Sequence, residues 1–159
     1  MTDRGTLEST IGEIYRARDA DDIDALMNWI DPACSFRIVG TGRLGPTTQK
    51  VDDSASLRAT LMALMENWDL TGVGNTGLCI EGDTVFVHRA GTVRFIPTDT
   101  RFDTEFVDKF TFRNGRVVEL TEFVDTLSVA EAAGLVAPES AQGAHAVGLA
   151  PASAGGIHA

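Results

Sequence analysis

Apolar side chains recur through the first third of the chain with the period of a helix. Leu7, Ile11, Ile14 and Tyr15 stand at i, i+4, i+7 and i+8, which predicts a helix over 6–19 with one buried stripe. The run Asp19-Ala20-Asp21-Asp22 breaks that stripe and offers the next N-cap. Ile23, Leu26, Met27 and Ile30 form the stripe of a second short helix, which Asp31-Pro32 stops. Residues 33–40 read as a first strand. The Gly- and Pro-containing stretch 41–50 is a long loop, of the kind that forms lids and pocket walls. Asp52, Asp53 or Ser54 caps a third helix, with Leu57, Leu61, Leu64, Met65 and Trp68 on one face.

After residue 69 the period changes to two, and four strands are predicted near 70–81, 84–96, 101–113 and 116–127. Glu81-Gly82-Asp83 and Arg113-Asn114-Gly115 are hairpin turns, since Asn-Gly and Gly-Asp sequences supply the positive φ such turns need. Helices followed by a hairpin-connected sheet give an α+β fold, an antiparallel sheet with helices on one face. Ser128 is expected to cap a last short helix, Val129 to Leu135. From 137 the composition shifts to Ala, Gly, Ser and Pro, with Glu139 the one charged residue. The expected organisation is one domain, 1–136, and a flexible tail, 137–159, because that tail has too little apolar surface to order itself. Packing of the tail on a partner subunit is the other reading.

Alternation also locates candidate chemistry. One face of 101–113 carries Phe102, Thr104, Phe106, Asp108, Phe110 and Phe112, and the other carries mostly charged residues. The first face is the buried one, so Asp108 lies among four phenylalanines. Desolvation there raises a carboxyl pKa and makes Asp108 a candidate acid or base; a structural carboxylate that pairs with an arginine or caps a backbone group is the competing reading. In 84–96 the more apolar face, Val85, Val87, Gly91, Val93 and Phe95, contains Arg89 as an inward cation. His88 then faces outward or into a dimer contact, and it is a candidate base only if that assignment inverts. In 116–127 parity barely decides. Asp125 joins Arg89 or caps the last helix. Tyr15 lies on the buried stripe of the first helix, and its hydroxyl needs a partner.

With 159 residues, 43% hydrophobic and 23% charged, the chain has enough material for one packed core. Its net charge of −10 disfavours phosphate backbones and anionic membranes. No apolar run approaches the ~20 residues of a membrane helix. The polar N-terminus reads as no signal peptide, which leaves a cytoplasmic protein as the expectation. Cys34 and Cys79 sit in apolar runs, as reduced core residues would. No spacing suits a metal, a Walker loop, a dinucleotide fingerprint or a serine elbow, so no cofactor and no metal are expected.

Ile14-Tyr15-Arg16-Ala17, Asp21-Asp22-Ile23-Asp24-Ala25-Leu26 and Phe110-Thr111-Phe112-Arg113-Asn114-Gly115-Arg116-Val117-Val118-Glu119, in this order of elements, resemble the NTF2-like superfamily. The resemblance spans roughly 5–136 and is closest to the ketosteroid-isomerase-like and SnoaL-like branches. It implies a curved sheet wrapped around three N-terminal helices, a cone enclosing an apolar pocket, and a homodimer. It sets Tyr15 at the oxyanion tyrosine of ketosteroid isomerases and Asp108 at their protonated aspartate, a case already familiar as an example of a raised carboxyl pKa. Their general base falls on Ile38, which carries no carboxylate. In limonene-epoxide-hydrolase-like relatives an Asp–Arg–Asp set activates water; Arg89 and Asp125 match two members, and the third falls on Gly91.

Two functions follow. One is a cofactor-free acid/base enzyme of isomerase, cyclase, lyase or hydrolase type, acting on a small hydrophobic carbonyl compound of polyketide or steroid kind. Its candidate catalytic residues are Asp108, Tyr15, Arg89, Asp125 and His88. Trp29, Phe36, Ile38, Trp68, Phe106, Phe110 and Phe123 are its candidate pocket wall. The other is a non-catalytic ligand-binding or dimerisation module, for which the missing carboxylates at Ile38 and Gly91 speak.

Overall fold

The computed structural model describes residues 3–137. Four helices and five strands follow one another: α1 (Arg4–Asp19), α2 (Ile23–Asn28), β1 (Ile30–Ile38), α3 (Ser54–Asn67), β2 (Trp68–Glu81), β3 (Thr84–Phe95), β4 (Thr100–Arg113), β5 (Arg116–Phe123) and α4 (Thr126–Ala132). Short 3₁₀ segments, Gly42–Thr48 and Ile96–Thr98, fill the two longer connections. All but the first residue of the expected tail, 137–159, lies outside the described residues. Among the described residues no helix is long and apolar enough to cross a membrane.

Aspartates start all four helices. The side chains of Asp3, Asp22 and Asp53 each accept a backbone N–H three residues on, at 2.9–3.1 Å. Asp125 does the same work for α4, accepting from Leu127 and Ser128 N–H groups at 3.1 Å and from the Ser128 hydroxyl at 2.6 Å. The expected cap, Ser128, is therefore a donor to the real one, and the helix begins three residues earlier than the pattern suggested. A carboxylate satisfies two orphan amides where a serine hydroxyl satisfies one.

The sheet order is β1-β5-β4-β3-β2. Three of its four pairings are antiparallel hairpin neighbours, and β1 joins β5 in parallel, so the sheet is mixed at one edge. β1 also starts earlier than predicted. Ile30 leaves the helical stripe and pairs with Val117, and the ladder resumes only at Ser35. Pro32 sits in that irregular gap, where its missing N–H breaks no ladder bond.

The curved, unclosed sheet wraps the helices. Leu7, Ile11 and Ile14 of α1 and Leu57, Leu61 and Met65 of α3 pack with Val85, Val87, Phe110, Phe112 and Leu120 of the sheet in one continuous core. β3 and β4 present the faces that alternation predicts: Val85, Val87, Arg89 and Val93 are buried, as are Phe106, Asp108, Phe110 and Phe112. Cys34 is buried, but Cys79 is exposed, opposite Phe86 on the outer face of the sheet.

Candidate functional site

Helix α1 lies across the concave face and delivers Tyr15 to the middle of β4. The Tyr15 hydroxyl donates to Asp108 Oδ2 at 2.7 Å. Asp108 is 3% exposed, and its Oδ1 is buried without a partner. Around this pair opens a cavity of about 320 Å³. Ile14, Ile38, Leu61, Trp68, Phe95, Phe102, Phe106, Phe110, Leu120 and Val124 give it an apolar wall, and Asp125, Val129 and Leu135 border it from the α4 end.

Arg89 is the largest fully buried side chain, at 2% exposure. It does not pair with Asp108. Its Nε donates to Asn75 Oδ1 at 3.1 Å, one terminal nitrogen donates to the Val73 carbonyl at 3.2 Å, and its Cζ stacks 3.9 Å from the Tyr15 ring centroid. A guanidinium over an aromatic face is held by the ring quadrupole and adds positive potential beneath the phenol. The competing reading of Asp108, a carboxylate paired with an arginine, has no counterpart here: the Asp108 partner is a phenol.

The remaining candidates separate. Ile38, Trp68, Phe106 and Phe110 line the cavity. Trp29 caps α2 and packs against the core beside it, and Phe36 is fully buried in that core; neither reaches the cavity. Phe123 turns outward, 45% exposed. His88 also faces outward, bridging the Thr76 hydroxyl at 2.7 Å and Glu105 at 3.1 Å, on the opposite face of the sheet from Asp108. Asp125 borders the cavity, but both its oxygens serve the α4 cap, and the Ser128 hydrogen bonds hold its carboxyl below its ordinary range. Gly91 cannot be the third acid of a water-activating set. At its φ of +149°, a Cβ would meet the Gly72 carbonyl oxygen at 2.2 Å.

Two cavity residues escaped the pattern. Glu122 stands directly opposite Asp108 on β5, half-buried, and lines the cavity. Arg18 of α1 reaches in from the side and donates to the Trp68 carbonyl at 2.6 Å and the Leu64 carbonyl at 3.4 Å. Arg18 continues the face of Ile11, Ile14 and Tyr15, so a wider helical wheel would have included it.

The electrostatics follow from burial. Desolvation raises the Asp108 carboxyl, against the Tyr15 hydrogen bond and the charge of Arg89. Desolvation and then the neighbouring Asp108 raise Glu122, against Arg18 and Arg89. Burial, reinforced by Asp108, drives the Tyr15 phenol far up, so it stays protonated and donates. Burial also pushes the Cys34 thiol up to about 12, which removes it as a nucleophile at neutral pH. Among the described residues no group of three or more His, Cys, Asp or Glu side chains is placed to hold a metal. The site can therefore hold one proton on a buried carboxyl, offer a phenolic donor, and surround a ligand with hydrocarbon.

The SnoaL-like domain family matches residues 11–120. No curated protein matches the chain. Among solved structures, an NTF2-like protein of unknown function from Burkholderia pseudomallei K96243 aligns with a TM-score of 0.71 at 15% identity, over 82% of this chain and 97% of that one. A provisionally assigned SnoaL-like polyketide cyclase from Jannaschia sp. CCS1 aligns with a TM-score of 0.69 at 22% identity, over 87% of this chain and all of that one (100%). TerC, co-crystallised with polyporic acid, aligns with a TM-score of 0.67 at 18% identity, over 79% of this chain and 96% of that one. Identities this low establish a shared fold and leave the reaction open.

Proposed function

The chain belongs to the SnoaL-like domain family, within the NTF2-like superfamily, and on that footing we propose that it carries out cofactor-free acid/base chemistry on a small hydrophobic carbonyl compound of polyketide or steroid-like shape. The observation that carries this reading is the 2.7 Å hydrogen bond from Tyr15 to the buried Asp108 at the wall of an apolar cavity. Asp108 is the acid or base, Tyr15 its hydrogen-bond donor, and Arg89 the cation that fixes the phenol ring from below. Trp68, Phe106 and Phe110 hold the hydrocarbon of the ligand. A positioned acid or base is worth ~10²–10⁴-fold in rate. The polyporic acid of TerC and the cyclase assignment of the Jannaschia protein belong to those proteins; they lend support as a small organic acid and a polyketide reaction named for proteins of this fold. A homodimer in the cytoplasm completes the proposal.

The apolar Ile38 and the commitment of Arg89 to Asn75 and the Val73 carbonyl favour a second reading, a binding module without turnover. Two probes separate them. Quenching of tryptophan fluorescence by 2-naphthol, with Trp68 in the cavity wall, reports binding. Incorporation of deuterium next to the carbonyl of 2-tetralone in D₂O, followed by NMR, reports proton abstraction. An enzyme binds the first and exchanges the second; a binding module binds the first and leaves 2-tetralone exchanging at the buffer rate.

A further inference from the structure

The β4–β5 ladder slips by one residue, and the slip creates a second carboxyl in the site. The Asn114-Gly115 turn pairs Arg113 with Arg116 and Phe112 with Val117. Continued unbroken, that register would set Thr121 opposite Asp108. Between Thr111 and Phe112 the register shifts, so Thr111 faces Glu119 and Asp108 faces Glu122. Directly opposed residues project to one face with Cβ atoms ~4.5–5.5 Å apart, and here that face is the cavity wall. On its other flank Glu122 neighbours Ile38, which offers no hydrogen bond.

The two carboxyls have one hydrogen-bond donor between them among the described residues. Asp108 Oδ2 accepts from Tyr15, and Oδ1 is buried without a partner. Among the described residues no side chain donates to the Glu122 carboxyl. The two guanidiniums that face the pair, Arg18 from α1 and Arg89 from β3, offset part of its charge, but their hydrogen bonds go to backbone carbonyls and Asn75, and Arg18 also pairs with Asp21 at 3.7 Å. From α4, Asp125 adds a third carboxylate at the border, already bound to its own helix. Two opposed carboxyls on an apolar cavity wall, one of them fully buried, resist a second ionisation, which leaves one proton between them.

We propose that Asp108 and Glu122 form a one-proton carboxyl pair, with Glu122 as a second catalytic residue, and that the pair enolises a neutral ketone seated in the cavity. The inference rests on the acid/base reading above and names its substrate class. The ionised carboxyl takes a proton from the carbon beside the carbonyl. The C–H electrons become the enol C=C bond, and the carbonyl π electrons take up the proton of the other carboxyl as the enol O–H. The pair ends with its proton moved across and its charge unchanged, and the substrate stays neutral throughout. In a low-dielectric cavity that constancy matters, because any step that built a second charge would carry a large desolvation cost. The raised positions of both carboxyls agree with a retained proton.

The full-length protein tests this in two ways. In protein labelled with ¹³C at Asp and Glu carboxyls, an NMR titration of the wild type should show one carboxyl of the pair still protonated at neutral pH. Deuterium exchange into 2-tetralone should follow a bell-shaped pH profile; Glu122→Gln should lower it ~10²-fold or more and remove the alkaline limb, while Glu122→Asp keeps both limbs. Two carboxyls both ionised at neutral pH overturn the pair, whether or not 2-tetralone is exchanged or the Gln variant folds. Full exchange in Glu122→Gln beside an inactive Asp108→Asn overturns the catalytic role of Glu122 alone. Full exchange in Asp108→Asn overturns the underlying acid/base reading.

Discussion

A buried carboxyl taxes the folded state according to where its proton is. Glu122 is pushed up to about 8 by burial and by Asp108, from an ordinary 4.5. Between those values the native state holds a proton that the unfolded chain has released, so its stabilising contribution is complete below the ordinary value and is lost as pH rises through the folded one. The wild-type melting temperature should therefore fall across that window, and Glu122→Gln should flatten the fall. An equally steep decline in the variant would contradict this account. Tyr15→Phe leaves Asp108 Oδ2 as a buried acceptor without its donor, a loss of ~1–3 kcal/mol in urea unfolding, and shifts the Asp108 titration further upward. At this scale Asp108 and Tyr15 were legible because each sits on a face of apolar neighbours, and Arg89 was legible on the more apolar of two less distinct faces. Glu122 was not legible: on its strand Val117 and Leu120 are both buried, so neither parity is clean, and a register slip decides it.

Elements here are set by local chemistry that the hydrophobic pattern does not encode. The last helix starts at Thr126 because a carboxylate at 125 outcompetes a hydroxyl at 128 for the free amides. Asp125→Ala should cost ~0.5–2 kcal/mol near neutral pH, the range for losing an N-cap. That cost should vanish as pH falls below ~3.9, because a carboxyl held low contributes stability only while ionised. Chemical unfolding at two pH values measures both. A pH-independent cost would mean that the cap acts through shape and not charge. The strands were legible from period two and the Asn-Gly turn. β1 was read only in part, since a proline inside a strand is tolerated only where the ladder lapses, and the lapse is a tertiary fact. The parallel pairing of β1 with β5 is likewise a long-range choice.

The whole molecule is a curved sheet closed over by helices, and its outer face carries the exposed Phe86 and Phe123. With a net charge of −10, self-repulsion opposes association, and added salt screens it. Sedimentation should show a homodimer that tightens as salt rises; a monomer at every salt concentration would remove the dimer from the proposal. The fold class was legible because helices precede a meander of strands and few architectures accept that order. The apolar pocket came with the resemblance, and Ile38, Trp68, Phe106 and Phe110 do line it; its volume was not legible, because it depends on how far α1 and α4 stand from the sheet. What that cavity does is decided most directly by the rate of deuterium exchange into 2-tetralone in Asp108→Asn. The account predicts a fall of ~10²–10⁴-fold with 2-naphthol binding and native circular dichroism retained; exchange at the wild-type rate would contradict it.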